Sequence, residues 1–222
     1  MKSSFTIPIA IVLGGIVVAG AVYFSLRTPS TSSGTGNPAL VRPVSSSDHI
    51  LGNPAAPVVI VEYSDFDCDY CKSFDETLRQ IIANEGASGE VAWVFREFPL
   101  AEIYPNAFSH ARAAECAAQI VDNDAFWKFS NALFMNQPVD PASYGTLAAS
   151  AGISSDAFAT CVATASSTID ARINADRQNA LAVGAQGTPY SLILVKGRAP
   201  IVMDGAYPYD AVKQLVDKAL AH

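Results

Sequence analysis

The first long apolar block of the chain runs from Phe5 to Leu26 and is broken by few polar residues. A helix needs about 20 such residues to cross a bilayer, so this block predicts an N-terminal transmembrane helix. A cleaved signal peptide has a shorter apolar core, about 7–15 residues, although Ala19-Gly20-Ala21 resembles a cleavage site and keeps that alternative open. Lys2 and the terminal amine favour an N-terminus on the cytoplasmic side, with Arg27 on the far side weakening the charge contrast. Either reading exports the remaining chain, and no cysteine follows the block to make it a lipoprotein. Thr28 to Ser47 then turns to Ser, Thr, Pro and Gly with almost no charge, which predicts a flexible tether.

Pattern changes mark the elements of the folded part, expected to start near Asp48 to Asn53. Pro57 to Tyr63 contains the β-branched run Val58-Val59-Ile60-Val61 and reads as a buried strand. Ser73 to Ala83 reads as a helix, Gly86 to Gly89 as a turn, and Val91 to Phe98 as a second strand. Pro99 and Pro105 break the chain. From Asn106 to Ala182 the spacing is helical: Phe108, Ala111, Glu115 and Ala118 share a face, and Phe126, Phe129 and Leu133 recur at helical intervals. Tyr144 to Ala151, Ser155 to Val162 and Ser167 to Val183 continue it, with Ser154-Ser155-Asp156 as an N-cap region. Tyr190 to Val195 and Ile201 to Met203 return to strand, and Tyr209 to Leu220 closes the chain as a helix. Strand elements flank the helices without alternating with them, which predicts one α/β layer carrying a helical insertion.

Composition narrows the partners. The chain has 222 residues, half of them hydrophobic, enough for one sizeable core. A net charge of −7 and no Lys/Arg cluster argue against nucleic acid. The aromatic residues Phe126, Trp127, Phe129 and Phe134 read as core, not as a cofactor site.

The chemistry concentrates in Ser64-Asp65-Phe66-Asp67-Cys68-Asp69-Tyr70-Cys71. This Cys-x-x-Cys lies where a strand passes into a helix. Unpaired N–H groups and the positive end of the helix dipole stabilise a thiolate there and make it a nucleophile near neutral pH. A second thiol one turn on can close a disulfide with the first. The alternative is a pair of metal ligands, but a closed zinc site needs two more ligands. No second Cys pair or neighbouring histidine supplies them, so no metal is expected.

The chain from about Asp48 to His222 resembles the DsbA family of thiol:disulfide oxidoreductases. The resemblance rests on Leu51-Gly52-Asn53-Pro54, Asp65-Phe66-Asp67-Cys68-Asp69-Tyr70-Cys71, Arg96-Glu97-Phe98-Pro99-Leu100, Ala111-Arg112-Ala113-Ala114-Glu115-Cys116-Ala117, Phe126-Trp127 and Gly187-Thr188-Pro189, in that order. It implies a thioredoxin-like fold with an inserted all-helical subdomain over about residues 105–183. It also implies an activity that needs no diffusible cofactor. Cys68 would be the nucleophile and Cys71 the resolving thiol. Glu62, on the strand beneath, would shuttle a proton to or from Cys71. Thr188 and Pro189 would face the disulfide, with the proline cis and the Thr188 backbone free to pair with an extended substrate.

The resemblance further implies substrates that are unfolded or exported cysteine-containing proteins, and a DsbB- or VKOR-type membrane partner if the protein is an oxidase. The catalytic domain would then be extracytoplasmic, held to the cell membrane by a single pass. Asp69 and Tyr70 between the cysteines would tune the redox pair. The family usually has proline where Asp69 stands, and a carboxylate beside Cys68 is expected to oppose its ionisation and weaken oxidation. That keeps a reductase or isomerase on the same scaffold open, as well as a redox-inert ligand-binding protein. Cys116 and Cys161 in the helical block are either two buried thiols or, as an even cysteine count in an exported chain and some relatives imply, a structural disulfide.

Overall fold

A computed structural model describes residues 36–164 and 167–221. The expected N-terminal transmembrane helix lies outside these residues. Among the described residues no helix is long and apolar enough to cross a membrane.

Among the described residues five strands form one sheet: β1 (His49–Gly52), β2 (Val58–Ser64), β3 (Val91–Glu97), β4 (Tyr190–Val195) and β5 (Ile201–Asp204), in the order β1-β3-β2-β4-β5. β2 runs parallel to β3 and antiparallel to β4, while β1 and β5 add antiparallel edges. β2 and β3 are central, and side chains on both of their faces are covered. Their apolar runs are therefore continuous where a half-exposed strand would alternate. β1 escaped the sequence reading because four residues at an edge are too few to show a period.

On one face Val58, Ile60, Trp93 and Phe95 pack against α1 (Asp69–Asn84) through Phe74, Leu78 and Ile81. The same core takes in α2 (Ala107–Ile120) and α3 (Asn123–Met135) through Ala114, Phe126, Trp127 and Phe134. It also includes the C-terminal helix α7 (Tyr209–Leu220) through Val212 and Val216. α4 (Tyr144–Ser150) and α5 (Ser155–Thr164) complete that side with Leu147 and Phe158. On the other face Val61, Tyr63, Val94 and Leu192 pack against Ala180 and Val183 of α6 (Ser167–Val183). The helical insertion thus wraps both sides of the sheet.

Two expectations need correction. α1 begins at Asp69, four residues before the expected Ser73, so Cys68 is its N-cap and Cys71 lies inside its first turn. Asp69 and Lys72 carry no apolar period, which hid that turn. Residues 36–47, expected to be part of the flexible tether, are docked on α6. Asn179 Nδ2 donates to the Leu40 carbonyl at 2.8 Å, the Arg42 amide donates to Asn179 Oδ1 at 3.0 Å, and the Arg42 guanidinium pairs with Asp176. Arg96, buried on β3, donates to Asp48 at 2.9 Å and to the Arg42 carbonyl at 3.1 Å. Gly36 approaches the backbone of Gly184 so closely that a Cβ would lie 2.1 Å from the Gly184 nitrogen. A polar composition without charge runs reads as a tether unless one knows the buried partners that hold it.

Cys116 on α2 and Cys161 on α5 are joined by a disulfide. It closes a loop 45 residues apart in sequence. In the chain-entropy model a loop of this size contributes about 4 kcal/mol. Replacing both cysteines by alanine should lower the urea midpoint by an amount worth about 2–4 kcal/mol, with thiol reactivity of Cys68 unchanged. Equal midpoints for the two proteins would show that the bond does not constrain the insertion.

Candidate active site

β2 ends at Ser64 and the chain crosses to Cys68 through a tight loop held by Asp65. Asp65 is buried, and its two oxygens accept from the amides of Asp67 at 2.8 Å and Leu100 at 2.7 Å. One carboxylate therefore ties the Cys-x-x-Cys loop to the loop after β3. Burial pushes its pKa up to about 6 against the pull of those two amides, with Asp67 and Cys68 adding to the rise.

Cys68 and Cys71 are both free thiols and face very different surroundings. Cys68 sits at the surface end of the pair, 4% exposed, and its Sγ lies 3.4 Å from the Thr188 carbonyl. Its pKa is drawn down to about 6, first by a hydrogen bond from Cys71, against the effect of burial. The Thr188 side chain and the amides of Cys71 and Tyr70 act in the same direction as Cys71. Those amides belong to the first turn of α1, where no helical partner competes for them. Cys71 is fully buried, and its pKa is pushed well above that of an ordinary thiol. Burial is the main cause, followed by the hydrogen bond it gives to Cys68 and the charges of Cys68 and Glu62. The arrangement keeps one sulfur ionised and the other protonated at neutral pH.

Glu62 lies beneath Cys71 on β2 and is fully buried. Ser64 Oγ donates to its Oε1 at 2.7 Å and Trp93 Nε1 donates to its Oε2 at 2.9 Å. Burial pushes its pKa up to about 8, and the charge of Asp75 adds to the rise, while the two hydrogen bonds oppose it. Asp75 is one turn beyond Cys71 on α1, buried, and held by Arg79 at 2.7 and 3.1 Å. Burial raises the Asp75 pKa in its turn.

Thr188 and Pro189 precede β4, and the bond between them is cis. This turn brings the Thr188 carbonyl against the Cys68 sulfur, as the resemblance implied. Tyr70 is 71% exposed and Ile103 66% exposed, and the Tyr104 pKa is raised by burial and by the charge of Cys68. Tyr70 and Tyr104 give the rim an aromatic character. Asp69 is exposed. The Cys68 pKa falls because donors at hydrogen-bond range act on its sulfur, while the charge of Asp69 stands in solvent, where it is screened. Among the described residues no group of three His, Cys, Asp or Glu side chains is placed to hold a metal ion.

Sequence reasoning missed Trp93 and Asp75, and it placed Ser64 and Asp65 in the redox stretch without the hydrogen bonds they make. Ser64 was within reach, since it shares a strand face with Glu62 at two-residue spacing. Trp93 was not, because its meeting with Glu62 depends on how β3 pairs with β2.

Residues 45–218 match the family model described as Thioredoxin. The oxidised BdbD of Bacillus subtilis superposes with a TM-score of 0.69 at 25% identity, covering 79% of this chain and 94% of that one. Wolbachia pipientis alpha-DsbA1 superposes with a TM-score of 0.71 at 22% identity, covering 83% and 96%. Among curated sequences, a "Probable disulfide bond formation protein D" of Bacillus cereus is 30% identical over 143 residues, 63% of this chain and 62% of the relative. A "Na(+)/H(+) antiporter NhaA 1" of Mycolicibacterium gilvum is 33% identical over 152 residues, 68% of this chain. The chain spans 24% of that antiporter's length.

The thiolate assignment has a direct readout. Because the Cys68 pKa is lowered, the thiolate persists down to a pH near 6 and is lost below it. Alkylation of Cys68 by iodoacetamide should therefore rise through about pH 6 and level off by neutral pH, with Cys71 unreactive over the same range. A Cys68 rate still climbing at about pH 8.5, as for an unperturbed thiol, would refute the assignment.

Proposed function

The chain belongs to the thioredoxin family with a DsbA-like helical insertion, and on that premise we propose that it is a protein thiol:disulfide oxidoreductase working as a dithiol oxidase. The observation that carries this reading is the placement of the two thiols, Cys68 at the N-cap of α1 and Cys71 fully buried in its first turn, which draws the Cys68 pKa down to about 6 and pushes that of Cys71 well up. Stabilising one thiolate stabilises the reduced pair, and a pair that is stable when reduced is oxidising in its disulfide form.

In the oxidised protein a substrate thiolate attacks Cys68 Sγ, the Cys68–Cys71 bond breaks, and Cys71 leaves with the electron pair. Glu62, protonated at neutral pH, returns a proton to Cys71. A second substrate thiolate then attacks the substrate sulfur of the mixed disulfide. Cys68 leaves as a thiolate, and its low pKa makes it a good leaving group. The substrate loses two electrons and becomes a disulfide, while the protein pair becomes a dithiol. A quinone-linked membrane partner of the DsbB or VKOR type would take those electrons. An extended substrate would pair with the backbone at Thr188, over the rim of Tyr70 and Tyr104.

An extracytoplasmic site at the membrane fits the apolar block from Phe5 to Leu26 and the Cys116–Cys161 bond, since disulfides persist in oxidising compartments. Unfolded or exported cysteine-containing proteins are the substrates that such a site would meet.

Cys71→Ser should accumulate mixed disulfides with substrate proteins through Cys68, and Cys68→Ser should accumulate none. Equal trapping by both variants, or trapping by neither, would overturn the division of labour. The direction of electron flow is read from the reduction potential against glutathione. A value near that of DsbA, about −120 mV, supports the oxidase, whereas one near thioredoxin, about −270 mV, would make it a reductase.

A further inference from the structure

The Cys71 sulfur does not meet solvent directly, and Ser64 and Glu62 beside it are fully buried as well. Glu62 and Ser64 occupy alternate positions of β2 and so share the strand face beneath α1. The two oxygens of Glu62 are not equivalent. Oε2 accepts from the Trp93 indole at 2.9 Å, and an indole N–H can only donate. Oε2 is thereby committed as an acceptor, and a proton on the acid resides on Oε1. Oε1 is the oxygen that meets the Ser64 hydroxyl, at 2.7 Å. The same hydroxyl interacts with the Cys71 sulfur, where it stabilises the thiolate. A hydroxyl both donates and accepts, so it can pass a proton between two neighbours and end unchanged.

From this geometry we propose that Ser64 is a further catalytic residue, whose hydroxyl carries the proton between Glu62 and the Cys71 sulfur. The inference rests on the exchange chemistry proposed above. When Cys71 leaves as a thiolate, it takes the Ser64 proton. Ser64 Oγ accepts the proton from Glu62 Oε1, and the acid becomes a carboxylate. When Cys71 attacks, the same path runs backwards: the thiol proton moves to Ser64, the Ser64 proton moves to Glu62, and the freed thiolate forms its bond. Trp93 is a positioning residue in this scheme, because it acts on Glu62 and not on sulfur.

The test uses the reduced full-length chain and an aromatic disulfide that releases coloured thionitrobenzoate. In the first phase the Cys68 thiolate attacks the reagent and releases one thionitrobenzoate. In the second phase Cys71 attacks Cys68 Sγ, the mixed disulfide breaks, a second thionitrobenzoate leaves with the electron pair, and the Cys68–Cys71 bond forms. The second phase should speed up through about pH 8, as Glu62 becomes able to accept a proton. Ser64→Ala should slow that phase by about 100-fold and leave the first phase at its original rate. Adding Ser64→Ala to Glu62→Gln should slow it no further than Glu62→Gln alone, since both changes cut one path.

A second phase of unchanged rate in Ser64→Ala, equal slowing of both phases, or multiplying effects in the double variant would overturn the relay. The unmodified protein gives an independent check. Mixtures of light and heavy water should yield a curved rate dependence in the second phase, from two protons moving together, and a straight line would also overturn it. Absence of any second release from the unmodified protein would instead remove the exchange chemistry itself, and the relay with it.

Discussion

The enclosure of β2 on both faces is the constraint on which the site depends. Because no side chain of its central part reaches water freely, a carboxylate placed there cannot stay ionised at the usual cost. Glu62 consequently holds its proton up to a pH of about 8. The same strand delivers the chain to Cys68, so the proton store and the sulfur pair are separated by only a few residues of rigid backbone. Trp93 on the neighbouring strand then orients the acid. A cation in its place would lower the Glu62 pKa and empty the store.

The asymmetry of the two sulfurs follows from where α1 starts. With its N-cap at Cys68, the free amides of the first turn converge on that sulfur. At the far side of that first turn, Cys71 points into the core that also holds Phe74 and Ile60. Helix geometry and burial therefore act in opposite directions on residues three positions apart. Asp65 stabilises the arrangement by bracing the loop against the segment after β3, at the expense of a raised pKa of its own.

The insertion and the segment ahead of β1 provide the cover. Phe126, Trp127 and Phe134 close the core over Trp93 and Phe95, and the Cys116–Cys161 bond ties α2 to α5. On the opposite face, residues 36–47 lie along α6 around the buried guanidinium of Arg96, which takes acceptors from Asp48 and from the Arg42 carbonyl. An arginine inside a protein is tolerated only when its donors are matched, and here the matching holds the leading segment in place.

By itself the sequence determined the strands β2, β3, β4 and β5, the helical block, the terminal helix and the redox pair. In these the signal is local: continuous β-branched runs, three- and four-residue spacing, and a Cys-x-x-Cys at a strand-to-helix junction. Only tertiary structure decided the rest. It paired β1 with β3, docked residues 36–47, started α1 at Asp69, brought Trp93 and Ser64 to the two oxygens of Glu62, and left Asp69 in solvent. Each of these depends on which surfaces meet and on what water is excluded. A hydrogen bond between residues 31 positions apart, as from Trp93 to Glu62, leaves no period or local composition by which it could be recognised.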